Sequence, residues 1–339
     1  MRKVPLNESL GESLGHDVTR IVPGKFKGSV FRRGHVVTPE DLPALRELGK
    51  DLVWVGEADP GLVHENEAAA RLAYAVAGEG VVAAAPREGR ANLRASRDGL
   101  LVVDRRTVSV FNGGFRVWLV TRHGYTPVKA GETVAAVKVL PLALPGASLE
   151  KLQRLIPSRG AVWVRPLRVL KTGVVITGNE VCEGRVPEAF LPAVRRKLEG
   201  YGCPVVGWRV VPDVPDEIAR AIRELLVLGS EMILATGGMA VDANDVTAEG
   251  IRRAGARVVG HGVPVLPGSL TLVAYLEEVP VLGLPACVLY DRVTAFDLLL
   301  PRLLAGEVLD GGQLGALGYG GLCAHCEVCV YPRCAFGKG

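Results

Sequence analysis

The sequence predicts an α/β chain in which a doubly wound, mostly parallel sheet follows a β-rich N-terminal region. Three observations lead there. Strand-like and helix-like runs alternate through residues 167–307. Residues 1–165 read instead as short strands and turns broken by one or two helices. A loop containing Gly237 and Gly238 sits between a short apolar strand and a helix, where parallel sheets place their ligand loops.

The elements follow in chain order. Thr38 can cap a helix starting at Pro39, with Glu40 and Asp41 in its first turn. Leu42, Leu45 and Leu48 give that helix an apolar stripe, and Gly49 ends it. Asp51–Val55 then alternates as a strand. His64–Ala77 is a helix with Ala68, Leu72, Ala75 and Val76 on one face. Gly99–Asp104, Thr107–Phe111 and Phe115–Arg122 read as strands, and Lys129–Glu132 as a turn between two extended segments. Together these make residues 1–165 a β-rich accessory region.

The next region, 166–307, changes character. Leu167–Ile176 is a strand and Glu188–Gly202 a helix. Pro204–Val211 is a strand, and Asp216–Gly229 a helix with Ile218, Ile222, Leu225 and Leu226 on one side. Met232–Ala235 is a buried strand, Ala248–Ala254 a short helix and Arg257–Gly260 a strand. Val279–Pro285 is another strand, followed by a helix over Tyr290–Leu304. This alternation calls for βαβ units and a parallel sheet. Residues 308–339 form a Gly-rich linker (308–321) and a Cys-rich tail.

Bulk properties narrow the function classes. Apolar residues make up 48% of the 339, enough for a sizeable core, while aromatics are only 5%. A net charge of +4 allows anionic small molecules but argues against a broad nucleic-acid surface. The N-terminus has no apolar stretch of signal-peptide length, and no run approaches a membrane span. A soluble, cytoplasmic protein is expected. Three of the seven cysteines are scattered and four crowd the C-terminal end, a pattern of reduced thiols and a metal more than of disulfides.

The main chemical motif is ATGGMAVDANDVT, Ala235–Thr247. Gly237 and Gly238 let backbone N–H groups approach a ligand, and N–H groups near a helix start suit a phosphate. Thr236 and Met239 flank the glycines. Asp242 and Asp245 offer carboxylates that can hold Mg²⁺ against that phosphate and are the candidate catalytic residues. A plain turn with helix-capping aspartates is the rival. VITGNEV brings Thr177, Gly178, Asn179 and Glu180 to the same sheet edge, though by itself it reads as an ordinary turn after a strand. Pro267, Gly268 and Ser269, then Pro285 with Cys287 nearby, lie in two further turns that can close a pocket. Cys287 alone reads as a small buried residue. Lys25, Lys27, Arg32 and Arg33 read equally as an anion site or a solvated basic face.

TGNE, TGGMAVDANDVT, PGS and GLPAC, in this order, resemble the molybdopterin-binding domain shared by molybdopterin adenylyltransferases and molybdopterin molybdenumtransferases. The resemblance covers roughly residues 167–307. HDVTRIVPGKFKGSVF, His16–Phe31, is similar to an early stretch of the molybdenumtransferases, which favours that branch. The resemblance implies a doubly wound sheet whose loops bind molybdopterin, with Thr236, Gly237, Gly238 and Asp245 in the phosphate-and-metal loop. It implies adenylated molybdopterin and molybdate as substrates, Mg²⁺ as cofactor, AMP as product, and a homodimer. Three stretches differ from the family pattern. Asn179 replaces an acidic residue, Lys27–Arg33 replaces an acidic segment, and Gly283–Cys287 ends Ala-Cys where the family has Gly-Asn-Pro. These differences keep open a second reading, a non-catalytic molybdopterin carrier, chaperone or sensor serving a molybdoenzyme client. A third is an enzyme of the same fold acting on a nucleotide-like substrate.

The tail places Cys323, Cys326, Cys329 and Cys334 in a C-x₂-C-x₂-C-x₄-C pattern. Four thiolates this close in sequence can surround one metal centre. Zinc, with His325 as a spare ligand, and an iron–sulfur cluster both remain open at this point.

Overall fold

The structure, a computed structural model, describes residues 1–114, 116–239 and 246–338. Two compact units emerge. The first comprises 1–97, 103–122 and 129–164, and the second 98–102, 123–128 and 165–339. Two short segments of the first half, 98–102 and 123–128, therefore fold with the second half. Their strands pair antiparallel, Leu101 opposite Thr126.

Within the first unit, Val4, Leu14, Val18, Phe31, Leu45 and Val53 make one small core. Helix Asp41–Glu47 contributes Leu45 to it, one position of the stripe expected from sequence. Elsewhere a four-stranded antiparallel sheet runs Val81–Ala83, Arg90–Ala95, Thr133–Val139, Val117–Thr121 in spatial order. Helix Glu65–Val76 buries Ala68, Ala69, Leu72, Ala73 and Val76, and leaves Tyr74 to solvent.

One expected strand of this unit is a helix. Thr107–Phe111 lies inside helix Arg105–Asn112. The Asp104 carboxylate caps it, accepting hydrogen bonds from the Arg106 N–H (3.1 Å) and the Thr107 hydroxyl (2.7 Å). Thr107 and Phe111, four residues apart, are its buried positions. The valines' period-two spacing suggested a strand, but the cap and this one-turn pair decide the segment.

The second unit is built on a six-stranded sheet. We label its strands β1 (Thr172–Thr177), β2 (Val205–Val211), β3 (Met232–Thr236), β4 (Arg257–His261), β5 (Leu272–Leu276) and β6 (Val279–Leu284). The spatial order is β2-β1-β3-β6-β5-β4. β2, β1, β3 and β6 are parallel, while β5 is antiparallel to both β6 and the edge strand β4. The helices are α1 (Asn179–Cys182), α2 (Phe190–Glu199), α3 (Pro215–Val227), α4 (Thr247–Arg253), α5 (Cys287–Tyr290), α6 (Ala295–Leu304) and α7 (Gly311–Gly315).

Alternate residues of the central strands feed two cores. Val174 and Ile176 of β1, Leu234 of β3 and Leu282 of β6 pack with Val194 and Leu198 of α2 and Phe296 and Leu299 of α6. Val175, Ile233 and Val281, on the opposite face, pack with Ile218, Ile222 and Leu225 of α3 and Ile251 of α4. A sheet covered on both faces explains why β1 and β3 read as continuous apolar runs without alternation. It is the doubly wound arrangement expected from the sequence. Pro215 opens α3, with Asp216 and Glu217 in its first turn, and Gly229 follows its end with φ +86°.

Some boundaries differ from the reading of the sequence. β5 was not anticipated. It forms a hairpin with β6, turning at Glu277, whose φ is +51°. The helix expected over Tyr290–Leu304 starts only at Ala295, and Tyr290 instead ends the short α5. Asp291 is extended, and Thr294 and Asp297 form a capping box that restarts the chain as α6. The Gly-rich stretch 308–321 is not a bare linker, because an Asp310–Gln313 capping box nucleates α7 within it. No helix among the described residues is long and apolar enough to cross a membrane.

Candidate functional site

Strand direction brings the candidate residues together. β1, β2, β3 and β6 are parallel, so Thr177, Val211, Thr236 and Leu284 end at one edge of the sheet. The sheet order steps from β1 to β2 on one side and to β3 on the other. The chain thus leaves β1 toward one side of the sheet and β3 toward the other, the switch in strand order at which such sheets bind ligands. β5 runs the other way, with Leu272 opposite Gly283 at the end of β6. Its start, and the Pro267–Leu270 loop before it, come to this same edge.

A cavity of about 1010 Å³ opens there. Thr177, Gly178, Asn179 and Glu180 line it from the β1 loop, and Gly237, Gly238 and Met239 from the β3 loop. Pro267, Gly268 and Ser269 line it from the loop before β5, and Pro285 and Cys287 from the end of β6. Thr236 does not line it. That residue closes β3 fully buried, and its hydroxyl donates to the Val175 carbonyl oxygen at 3.4 Å. Asp242 and Asp245 lie outside the described residues.

The two main loops are locked against each other. Gly237 has φ +90°, and a Cβ built on it would collide with the Thr177 carbonyl oxygen. Only glycine allows both the backbone angle and the approach. The Thr177 hydroxyl also pairs with the Thr247 hydroxyl at 2.9 Å, tying β1 to the start of α4. Met239 lies over Gly283, where a Cβ would sit 2.6 Å from the methionine methyl.

Asn179 has a defined task. Its backbone N–H donates to the Asp213 carboxylate at 3.0 Å, and its side-chain oxygen accepts from the Asp213 N–H at 3.1 Å. This reciprocal pair fastens the β1 loop to the turn after β2. Asp213, Arg185 and Phe190 are lining residues that motif reasoning passed over. Asp213 could have been found by asking which residue follows each parallel strand at the ligand edge. Arg185 and Phe190 had no such signal.

The wall is mixed in charge. Arg185 supplies a cation, itself paired with Glu183 at 2.6 Å on the surface, and Glu180 and Asp213 supply carboxylates. Burial, and then the neighbouring Asp291, push the Cys287 thiol above its ordinary pKa.

At the C-terminal end, Cys323, Cys326, Cys329 and Cys334 all line a second, separate cavity, of about 380 Å³. Among the described residues, no group of three or more His, Cys, Asp or Glu side chains is gathered closely enough to hold a metal ion as it stands.

Residues 173–305 match the family described as a probable molybdopterin binding domain, and residues 3–57 match a domain of unknown function. The molybdopterin molybdenumtransferase of Synechococcus elongatus is 28% identical over 197 residues, covering 53% of this chain and 49% of that protein. Its Haemophilus influenzae counterpart is 26% identical over 185 residues, covering 52% and 43%. The chain thus spans half or less of the length of these relatives. A solved molybdopterin biosynthesis protein from Pyrococcus horikosii aligns with 94% of this chain and 77% of its own, at 16% identity and a TM-score of 0.34. The second half of the chain thus matches the molybdopterin-binding domain family, and the chain is similar to proteins of molybdenum cofactor biosynthesis.

Proposed function

We propose that this chain acts in molybdenum cofactor biosynthesis as a molybdenumtransferase-like enzyme. It binds adenylated molybdopterin in the cavity at the sheet edge, accepts molybdate there and releases AMP. The observation that supports this reading best is the convergence of the TGNE, TGGM, PGS and GLPA loops on one cavity large enough for a pterin nucleotide. N–H groups of the Gly237–Gly238 loop would meet the ligand phosphate, and Arg185 would add a cation beside it. Glu180 and Asp213 would hold Mg²⁺, with Asp242 and Asp245 as the further carboxylates and catalytic candidates. When bound, Mg²⁺ neutralises phosphate charge. The chain's own contribution is placement: loops fixed by the Asn179–Asp213 and Thr177–Thr247 pairs hold pterin and oxyanion in register. A homodimer belongs to the same reading.

One observation favours the second reading, a pterin carrier without catalysis. Asn179 is engaged with Asp213 and brings no carboxylate of its own, which lowers the negative charge available to a metal. Turnover of adenylated molybdopterin with molybdate and Mg²⁺ separates the two. Mg²⁺-dependent AMP release that is lost in Asp245→Ala supports the transferase. Tight pterin binding with no AMP release from the wild type leaves the carrier, and absence of pterin binding sinks both.

A further inference from the structure

The four clustered cysteines stand on a built platform. The chain before them pairs with Leu266: its N–H donates to the Gly321 carbonyl oxygen and its own carbonyl accepts from the Cys323 N–H, both at 2.8 Å. The chain after them is anchored by Phe336, which is buried in the α2/α6 core. The Gly337 N–H donates to the Gly320 carbonyl oxygen at 2.9 Å, so the loop's two ends are joined. Its middle is pinned by Tyr331, whose hydroxyl donates to the Asp297 carbonyl oxygen at 2.9 Å. Residues 321–337 therefore make a closed loop docked on the domain.

That loop wraps one cavity of about 380 Å³. All four thiols line it, and all four are free. The remaining wall is largely apolar, from Val293, Leu322, Tyr331 and Phe336, with Arg292, Asp291 and His325 as its charged or titratable groups.

The spacing of the cysteines separates the metals. Zinc sites commonly divide their cysteines into two C-x₂-C pairs on separate chain segments, about 15–20 residues apart. Here three cysteines follow at successive steps of three, as do the first three ligands of the ferredoxin run that wraps one iron–sulfur cluster. The fourth lies five residues on, one residue further than in that run, where the equivalent cysteine serves a second cluster. Cys334 lines the same cavity as the other three and is the fourth thiol the chain offers there.

We propose that Cys323, Cys326, Cys329 and Cys334 hold one iron–sulfur cluster in this cavity, each thiol losing its proton as it ligates. The proposal stands independently of the pterin reading, since none of the four lines the pterin cavity. The test is full-length protein purified without oxygen, then reconstituted with iron, sulfide and a thiol reductant. Iron and acid-labile sulfide should appear together, about four of each per chain for a cubane, with a broad visible absorbance that bleaches on reduction. Cys326→Ala should lose most of both. Cys326 is exposed, so the metal-free variant should unfold at the wild-type temperature. Cys182→Ala, outside the loop, should keep the full complement. One zinc per chain without sulfide, no metal after reconstitution, or a Cys326→Ala protein with undiminished iron would each overturn the assignment.

Discussion

Gly237→Ala probes the joint between the two loops that shape the pterin cavity. Gly237 adopts φ +90°, and its new Cβ would strike the Thr177 carbonyl oxygen. Two costs add. The left-handed backbone angle costs an alanine about 1–2 kcal/mol. The steric overlap behaves like overpacking and costs about 1–3 kcal/mol, because Thr177 is backbone-fixed in β1 and cannot swing away. Gly229→Ala is the internal control. It has φ +86° in the same domain but nothing within 4 Å of its Cβ, so it carries the first cost alone. Urea denaturation should therefore show Gly237→Ala less stable than Gly229→Ala by about 1–3 kcal/mol. The overlap pushes the loops apart, so molybdopterin affinity should fall at least tenfold, or about 1.4 kcal/mol, in Gly237→Ala and stay unchanged in Gly229→Ala. Equal stability losses with unimpaired pterin binding would refute the idea that these loops meet at Gly237 to form the site.

Two further predictions concern the fold. His64 is buried, with Nε2 donating to the Gly15 carbonyl oxygen (3.2 Å) and Nδ1 accepting from the Asn66 N–H (3.2 Å), so the neutral ring caps helix Glu65–Val76. Burial, and then Arg33, hold its pKa below the ordinary 6.5. The unfolded chain therefore takes up a proton that the folded one resists. The stability His64 contributes is present above about pH 6.5 and is lost as pH falls below it, by at most about 1.4 kcal/mol per pH unit. Denaturation midpoints between pH 5 and 8 should fall less steeply for His64→Gln, and identical slopes would count against the argument. In the second unit, buried Arg302 pairs with Glu307 at 2.6 Å. Glu307→Ala leaves that guanidinium buried without its carboxylate and should cost about 3–5 kcal/mol in thermal denaturation, whereas a loss below about 1 kcal/mol would mean that water reaches Arg302.

Much of the second half was legible because its strands are buried on both faces and its helices are signed at their ends. Met232–Thr236 is too short and too apolar to be anything but an interior strand. Pro215, the acidic first turn and Gly229 mark α3 at both ends. The first half was harder. Thr107–Phe111 spaces its valines like a strand, and only the Asp104 cap with the packing of Thr107 and Phe111 makes it a helix. β5 was missed because its neighbourhood reads as turns, and a strand is defined by the partner it finds, here β6.

The candidate site divides the same way. Local chemistry is enough to mark Gly237–Gly238, Asn179, Glu180, Pro267–Ser269 and Pro285 as loop residues beside strands, because turn-forming residues declare themselves within a few positions. Asp242 and Asp245, the residues on which the proposed catalysis leans, lie outside the described structure. The sequence by itself determined the fold class, the loop set and the cysteine run, all of which depend on spacing along the chain. Tertiary structure alone decided that Thr236 turns inward, that Asp213 holds Asn179, and that four distant loops share one cavity. It also decided that four thiols face a common space. Each of these depends on strand order and direction, and so on contacts between residues that the chain places far apart.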